Sequence, residues 1–171
     1  MKLKYRVLLI LALGLLVIAT SSYVMAQTNT NSNKTAAPAA QSKDNDIRLP
    51  AKLVENTKEL GTRELKPRNS QHSMIDTYYA GNGKDFIITQ EKLEKYSSQE
   101  FIDLLMTKAF PNTTPEKLTV QGYPAVYVDR SNGLDLLYVI TDTYSFVISS
   151  QQTLTKQEML DLANSIDFSN L

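Results

Sequence analysis

Residues Gly122–Ile140 read GYPAVYVDRSNGLDLLYVI, and the pairing of the two halves of this stretch decides the fold. Both halves are β-branched, aliphatic and aromatic, with Asn132-Gly133 between them. Asn-Gly tolerates the positive φ angles of a two-residue type I′ turn. Such a turn predicts a hairpin in which Arg130 faces Asp135, Val128 faces Leu137 and Val126 faces Val139. The Arg130–Asp135 pair at its mouth is worth well under about 1 kcal/mol at a surface. Both alternation sets are apolar: Val126 and Val128 point one way, Ala125 and Tyr127 the other. A sheet with one wet face carries apolar residues on one set only.

The next strand extends the pattern. A turn at Asp142-Thr143, a poorer turn pair than Asn-Gly, predicts Val139 opposite Phe146 and Leu137 opposite Ile148. One face then collects Val126, Val128, Leu137, Val139, Phe146 and Ile148, a floor on which helices can lie. The other collects Ala125, Tyr127, Leu136, Tyr138, Ile140, Ser145, Val147 and Ser149. Tyrosine buries a large ring yet needs a partner for its hydroxyl. Two readings stand for this second face. Either the segment from Leu49 to Leu65 lies across it, or part of it stays open as a groove for a peptide, glycan or lipid. In the second reading Tyr127, Leu136, Tyr138, Ile140 and Val147 are the candidate binding face.

Working outward, two helices are expected. Ser97 to Phe110 opens with a capping box of Ser97 and Glu100, carries Phe101, Leu104, Leu105 and Lys108 at helical spacing with Ile102 and Ala109 beside them, and stops at Pro111. Thr155 to Ile166 opens with Thr155 and Glu158 and carries Met159, Leu162, Ala163 and Ile166 on one stripe. Met74–Ala80 and Lys84–Gln90 form a hairpin around Gly81-Asn82-Gly83. Lys117–Gln121 is a strand, with a bend at Gly122–Pro124. Ile47–Leu65, broken by Pro50 and Gly61, is an extended leading segment with a short strand before Pro67. Lys66–Ser73 is a polar loop. These elements predict an α+β domain over residues 47–171: a curved, mainly antiparallel sheet of about five to seven strands with both helices packed on one face.

The first 26 residues have the form of an export signal. Lys2, Lys4 and Arg6 precede an apolar run from Val7 to Ala19, and Val24-Met25-Ala26 suits cleavage after Ala26. The alternative is a retained N-terminal membrane anchor, since Val7 to Ala26 is long enough to span a bilayer. Gln27–Asp46 holds no large apolar residue and reads as a disordered linker. The chain has 18 basic and 18 acidic residues; without the signal the balance is 15 to 18, a charge of −3. That balance argues against nucleic acid, which needs a basic footprint. The chain has no Cys, so disulfides, thiol chemistry and a lipid-modified cysteine are all excluded.

Chemistry finds little purchase. His72 is the sole histidine, in a polar loop with Asp76 four residues on, and no nucleophile-elbow pattern surrounds any serine. One His and no Cys give no metal-ligand spacing. The expectation is therefore a protein that is not an enzyme, with no catalytic residue, no metal and no cofactor. Arg63, Lys66, Arg68 and His72 form the one basic cluster, a candidate loop for an anionic polymer or an acidic partner, though a solvated loop is the leading reading.

Four stretches resemble a known family. They are Val120-Gln121-Gly122-Tyr123-Pro124-Ala125, Leu136-Leu137-Tyr138, Tyr144-Ser145-Phe146-Val147-Ile148, and the helix Thr155–Ile166. Together they are similar to the bacterial extracytoplasmic domains grouped as domain of unknown function 4367, over Ile75 to Phe168. That family usually carries a Trp in the strand after the hairpin; this chain has none, and Tyr138 stands there. Such domains sit on regulators of sigma factors or sporulation, so the resemblance implies sensing or protein contact. Only six residues precede the apolar run here, which leaves no room for a regulator domain before it. The family brings no established catalytic residues. The leading expectation is an exported, non-enzymatic binding module of the bacterial cell envelope, its partner an unknown envelope protein, glycan or apolar ligand. The alternatives are a carrier of a lipid-like ligand in the sheet concavity and a small envelope hydrolase.

Overall fold

The computed structural model describes residues 47–66, 74–93, 95–130 and 133–169. The expected signal over residues 1–26 and linker over 27–46 lie outside the described residues.

Seven strands form one antiparallel sheet: β1 (Lys58–Leu65), β2 (Met74–Gly81), β3 (Lys84–Lys92), β4 (Glu116–Val120), β5 (Tyr123–Val128), β6 (Asp135–Ile140) and β7 (Tyr144–Ser150). Their spatial order is β1-β2-β3-β7-β6-β5-β4. Helix α1 (Ser98–Leu104) continues as a π-helical turn over Leu105–Ala109, and α2 is Lys156–Asn164. The α+β class and the curved antiparallel sheet are as expected. Both capping boxes are present, on Ser97 with Glu100 and on Thr155 with Glu158. Each satisfies two backbone N–H groups that the first helical turn leaves free. The widening of α1 coincides with Thr107, whose hydroxyl donates to the Asp103 carbonyl at 2.6 Å and competes with the helical ladder.

Three tight turns set the hairpins. Asn82 and Gly83 have φ of 52° and 72°, and Gln121 and Gly122 have 52° and 87°, so both turns are two-residue type I′. The β6–β7 turn at Asp142-Thr143 has the expected register, with Val139 opposite Phe146 and Leu137 opposite Ile148.

The β5–β6 hairpin departs from expectation by one residue. Val128 faces Leu136, Tyr127 faces Leu137 and Val126 faces Tyr138. The connection is longer than two residues: β5 stops at Val128 and β6 starts at Asp135. Within it the Gly133 N–H donates to the Arg130 carbonyl at 2.7 Å, and the Arg130 N–H donates to the Asp135 carboxylate at 3.2 Å. The expected cross-strand charge pair of Arg130 and Asp135 is replaced by this backbone-to-side-chain bond inside the loop. A one-residue slip sends every side chain of the slipped strand to the other face.

The slip explains where the helices lie. Leu137, Val139, Phe146 and Ile148 do pack with Met159, Leu162, Ala163 and Ile166 of α2 and its end, but Ala125 and Tyr127 share that face in place of Val126 and Val128. The opposite face, holding Val126, Val128, Leu136, Tyr138 and Ile140, is covered by α1. The Tyr138 ring lies 6.3 Å from Phe101 and 6.2 Å from Phe110, and Ile102, Leu105 and Ala109 are buried. The two helices thus sit on opposite faces, not on one. Apolar residues in both alternation sets of β5 and β6 follow directly, because each set has its own helix to meet.

The leading segment does cover a face of the sheet, and it is the α2 face. Leu53 and Val54 pack on the core, Pro50 bridges Ile166, and the Arg48 N–H donates to Gln90 Oε1 at 3.0 Å. The short strand expected before Pro67 is the eight-residue edge strand β1. Phe168, beyond the last helix, is fully buried against Phe146 and Tyr123.

Candidate functional site

The α1 face of the sheet runs in three cross-strand rows, fixed by register. One row is Arg63, Asp76, Thr89, Val147, Tyr138 and Val126, in the order β1, β2, β3, β7, β6, β5. A second is Tyr78, Ile87, Ser149, Leu136 and Val128, and a third is Met74, Glu91, Ser145 and Ile140. Along each row the chemistry changes. Over β5 and β6 it is apolar and roofed by α1. Over β1 to β3 polar groups enter it: Arg63, Asp76 and Thr89 in the first row, Tyr78 in the second and Glu91 in the third.

The middle of this face is only partly covered. Among the Ala, Val, Leu and Ile side chains of β3, β5, β6 and β7, all are buried except Ile87 and Val147. The two are diagonal neighbours, since Val147 faces Thr89 and Ile87 faces Ser149. On one side they are bounded by the half-buried rings of Tyr138 and Phe101, with the Tyr96 ring tilted beyond at 6.4 Å from Phe101. On the other side stands a polar rim. Thr89 Oγ1 donates to the Asp76 carboxylate at 2.7 Å, and the Arg63 guanidinium lies 4.0 Å from it. Arg63 also donates to the Tyr78 hydroxyl at 2.7 Å and lies over that ring. Burial pushes the Asp76 carboxyl above the ordinary range, against the pull of Thr89 and Arg63. Burial, with the Glu91 charge adding to it, also pushes the Tyr138 hydroxyl up. Ser145 Oγ is buried in this face with no hydrogen-bond partner among the described residues.

The structure divides the sequence-predicted binding face. Leu136, Tyr138, Ile140 and Val147 do share one side of the sheet. Leu136 and Ile140 are fully buried, and Tyr138 sits between two phenylalanine rings of the α1 region. Tyr127 lies on the other face, where Lys156 Nζ stands 5.2 Å over its ring and burial raises its hydroxyl pKa. The face is therefore roofed by α1 rather than by the leading segment, and its open part is centred on Ile87 and Val147.

The basic cluster also comes apart. Arg63 belongs to β1 and is committed to Tyr78 and Asp76; Lys66 is exposed beside Glu64 at 3.9 Å. Arg68 and His72 lie outside the described residues. Among the described residues no group of three or more His, Asp or Glu gathers as a metal site, and no helix is long and apolar enough to cross a membrane.

Sequence reasoning missed Ile87, Thr89, Asp76 and Arg63 as members of one surface. Their alternation in KDFIITQ and MIDTYYA was visible, but the crossing from β3 to β7 rather than to β4 was not. It also missed Gln121, whose Nε2 donates to the carbonyls of Ala163, Asn164 and Ile166 at 3.2, 3.0 and 2.8 Å and caps the end of α2.

No curated protein matches the chain. A family model described as a domain of unknown function (DUF4367) matches residues 53–166, from the leading segment through all seven strands to the end of the second helix, and the chain belongs to that family.

Proposed function

We propose that this chain is an exported, non-enzymatic binding module of the bacterial cell envelope, and that it contacts a partner protein through the open part of the α1 face. The observation that carries this reading is the incomplete burial of Ile87 and Val147 on strands whose other Ala, Val, Leu and Ile residues are all buried. A partner that lays an apolar side chain there gains burial of about 25 cal/mol per Å² of apolar surface. The Tyr138 and Phe101 rings give that side chain a wall. The Arg63–Asp76–Tyr78 rim offers a fixed cation and hydroxyl to polar groups around it, the arrangement of apolar centre and polar border that protein contacts use. Asp76 is engaged by Thr89 and Arg63, which suits a carboxyl that orients Arg63 rather than one that transfers a proton. Export rests on the basic and apolar N-terminus and its Val24-Met25-Ala26 site.

The mature chain, immobilised, is exposed to envelope extract beside its Ile87→Lys and Val147→Thr variants. A protein retained by the wild type and lost from both variants, at unchanged thermal midpoint, is the expected result. Equal retention by all three would overturn the reading. A lipid released from the purified chain by chloroform and methanol would favour a carrier instead.

A further inference from the structure

Residues 47–54 cross the α2 face as a strap held by a side-chain contact to β3 and by contacts to the end of α2, outside the backbone ladder of the sheet. The Arg48 N–H bonds Gln90 Oε1, and the Arg48 guanidinium lies 3.8 Å from Asp167. The Ala51 N–H donates to the Ser165 carbonyl at 2.9 Å, and Ser165 Oγ donates to the Lys52 carbonyl at 3.2 Å. Ile47 and Leu49 keep 37% and 40% of their surface exposed, so the strap's apolar hold falls to the half-buried Leu53 and Val54. A turn then separates strap from sheet. The Thr57 N–H and hydroxyl both donate to the Val54 carbonyl, Asn56 takes φ of 60°, and β1 begins at Lys58. From there β1 is held along its length by β2.

Segments with few buried apolar contacts and few backbone bonds open at lower free energy than the ladders beside them. We propose that residues 47–54 open as one unit while the seven-stranded sheet stays folded, uncovering Gln90 and its row partner Ile75 on the α2 face. Both are buried when the strap is closed, and the next residue of the row, Phe146, stays under Phe168.

The test is amide hydrogen exchange read residue by residue by NMR. The Arg48 and Ala51 amides should share one opening constant, at least about tenfold larger than that of β6 and β7 amides. Arg48→Ala should raise the strap constant and leave β6 and β7 unchanged. Because the chain has no Cys, an Ala51→Cys, Ser165→Cys pair gives a single defined bridge. Oxidation should slow strap exchange to the rate of the sheet, and reduction should restore it. Strap amides that exchange with β6 and β7 in the wild type would overturn the proposal, as would an Arg48→Ala variant that accelerates strap and sheet alike. The Arg48→Ala comparison stands even where the cysteine pair does not fold.

Discussion

Replacing Phe168 by Ala should unfold this domain at markedly lower denaturant, although the residue lies beyond the last helix and beyond the family match at residue 166. Its side chain is 1% exposed. The ring meets Phe146 edge-on at 4.9 Å and Tyr123 edge-on at 5.7 Å. Each such pair is worth about 0.5–1.5 kcal/mol beyond the area it buries. Phe→Ala in a packed core costs about 3–5 kcal/mol once the cavity is counted, and two ring contacts place Phe168 in that range. A domain of this size has about 5–15 kcal/mol in all, so the loss takes a large part of it. Urea unfolding followed by far-UV circular dichroism measures it, with unchanged slope and a lowered midpoint. Phe168→Leu should recover more than half. The main-chain bond from the Tyr123 hydroxyl to the Phe168 carbonyl is kept in both variants, so the difference reads the ring alone. A loss below about 1 kcal/mol for Phe168→Ala would refute the claim that the tail completes the core.

Two further outcomes follow from local geometry. At Gly81, φ is 153° and an added Cβ would stand 2.1 Å from the Asn56 carbonyl oxygen, a backbone atom that cannot swing aside. Gly81→Ala should cost more than about 2 kcal/mol, whereas Gly61→Ala, with φ of 149° and open space around it, should cost only the backbone strain of about 1–2 kcal/mol; equal midpoints in urea would contradict this. The second outcome concerns pH. Asp76 has its folded pKa raised from 3.8, chiefly by burial, so its contribution is full below about pH 4 and is lost as pH rises through the folded value. Asp76→Asn keeps an acceptor for Thr89 and removes the buried charge, so the variant should gain on the wild type from pH 4 to pH 7. A stability difference independent of pH across that window would show that Asp76 does not titrate as a buried acid. Glu158 works in the opposite sense: Lys84 holds its pKa down, and its contribution fades as pH falls.

Much of the architecture was legible, and the exceptions have physical causes. Capping boxes announced both helices because a Ser or Thr three residues before Glu, ahead of an apolar helical stripe, satisfies the N–H groups that the first turn leaves free. The Asn82-Gly83 hairpin was legible to within a residue for the same local reason. Asn132-Gly133 misled because Asp135 draws the Arg130 N–H and the loop widens, so turn chemistry did not fix the register. Asp142-Thr143 succeeded for a reason outside the turn pair. Thr141 Oγ1 accepts from the Thr143 and Tyr144 N–H groups at 3.3 and 2.9 Å, which holds the chain reversal from one position earlier. Gln121 and Phe168 were illegible because each acts on residues more than twenty positions away, at the end of α2 and under its tail.

The site was half legible for one reason that ties these cases together. Two apolar alternation sets on β5 and β6 mean that both faces of those strands are covered, but they do not say by what. Only the register assigns Tyr127 to α2 and Tyr138 to α1, and the register rested on a six-residue stretch around Asn132. Once each helix has its own face, the open ground must lie where neither reaches. On the α1 side that is β3 and β7, and there Ile87 and Val147 are only partly buried. A charged residue at position 87 should therefore leave the fold intact, whereas one at Leu136, two strands away in the same row, should abolish it.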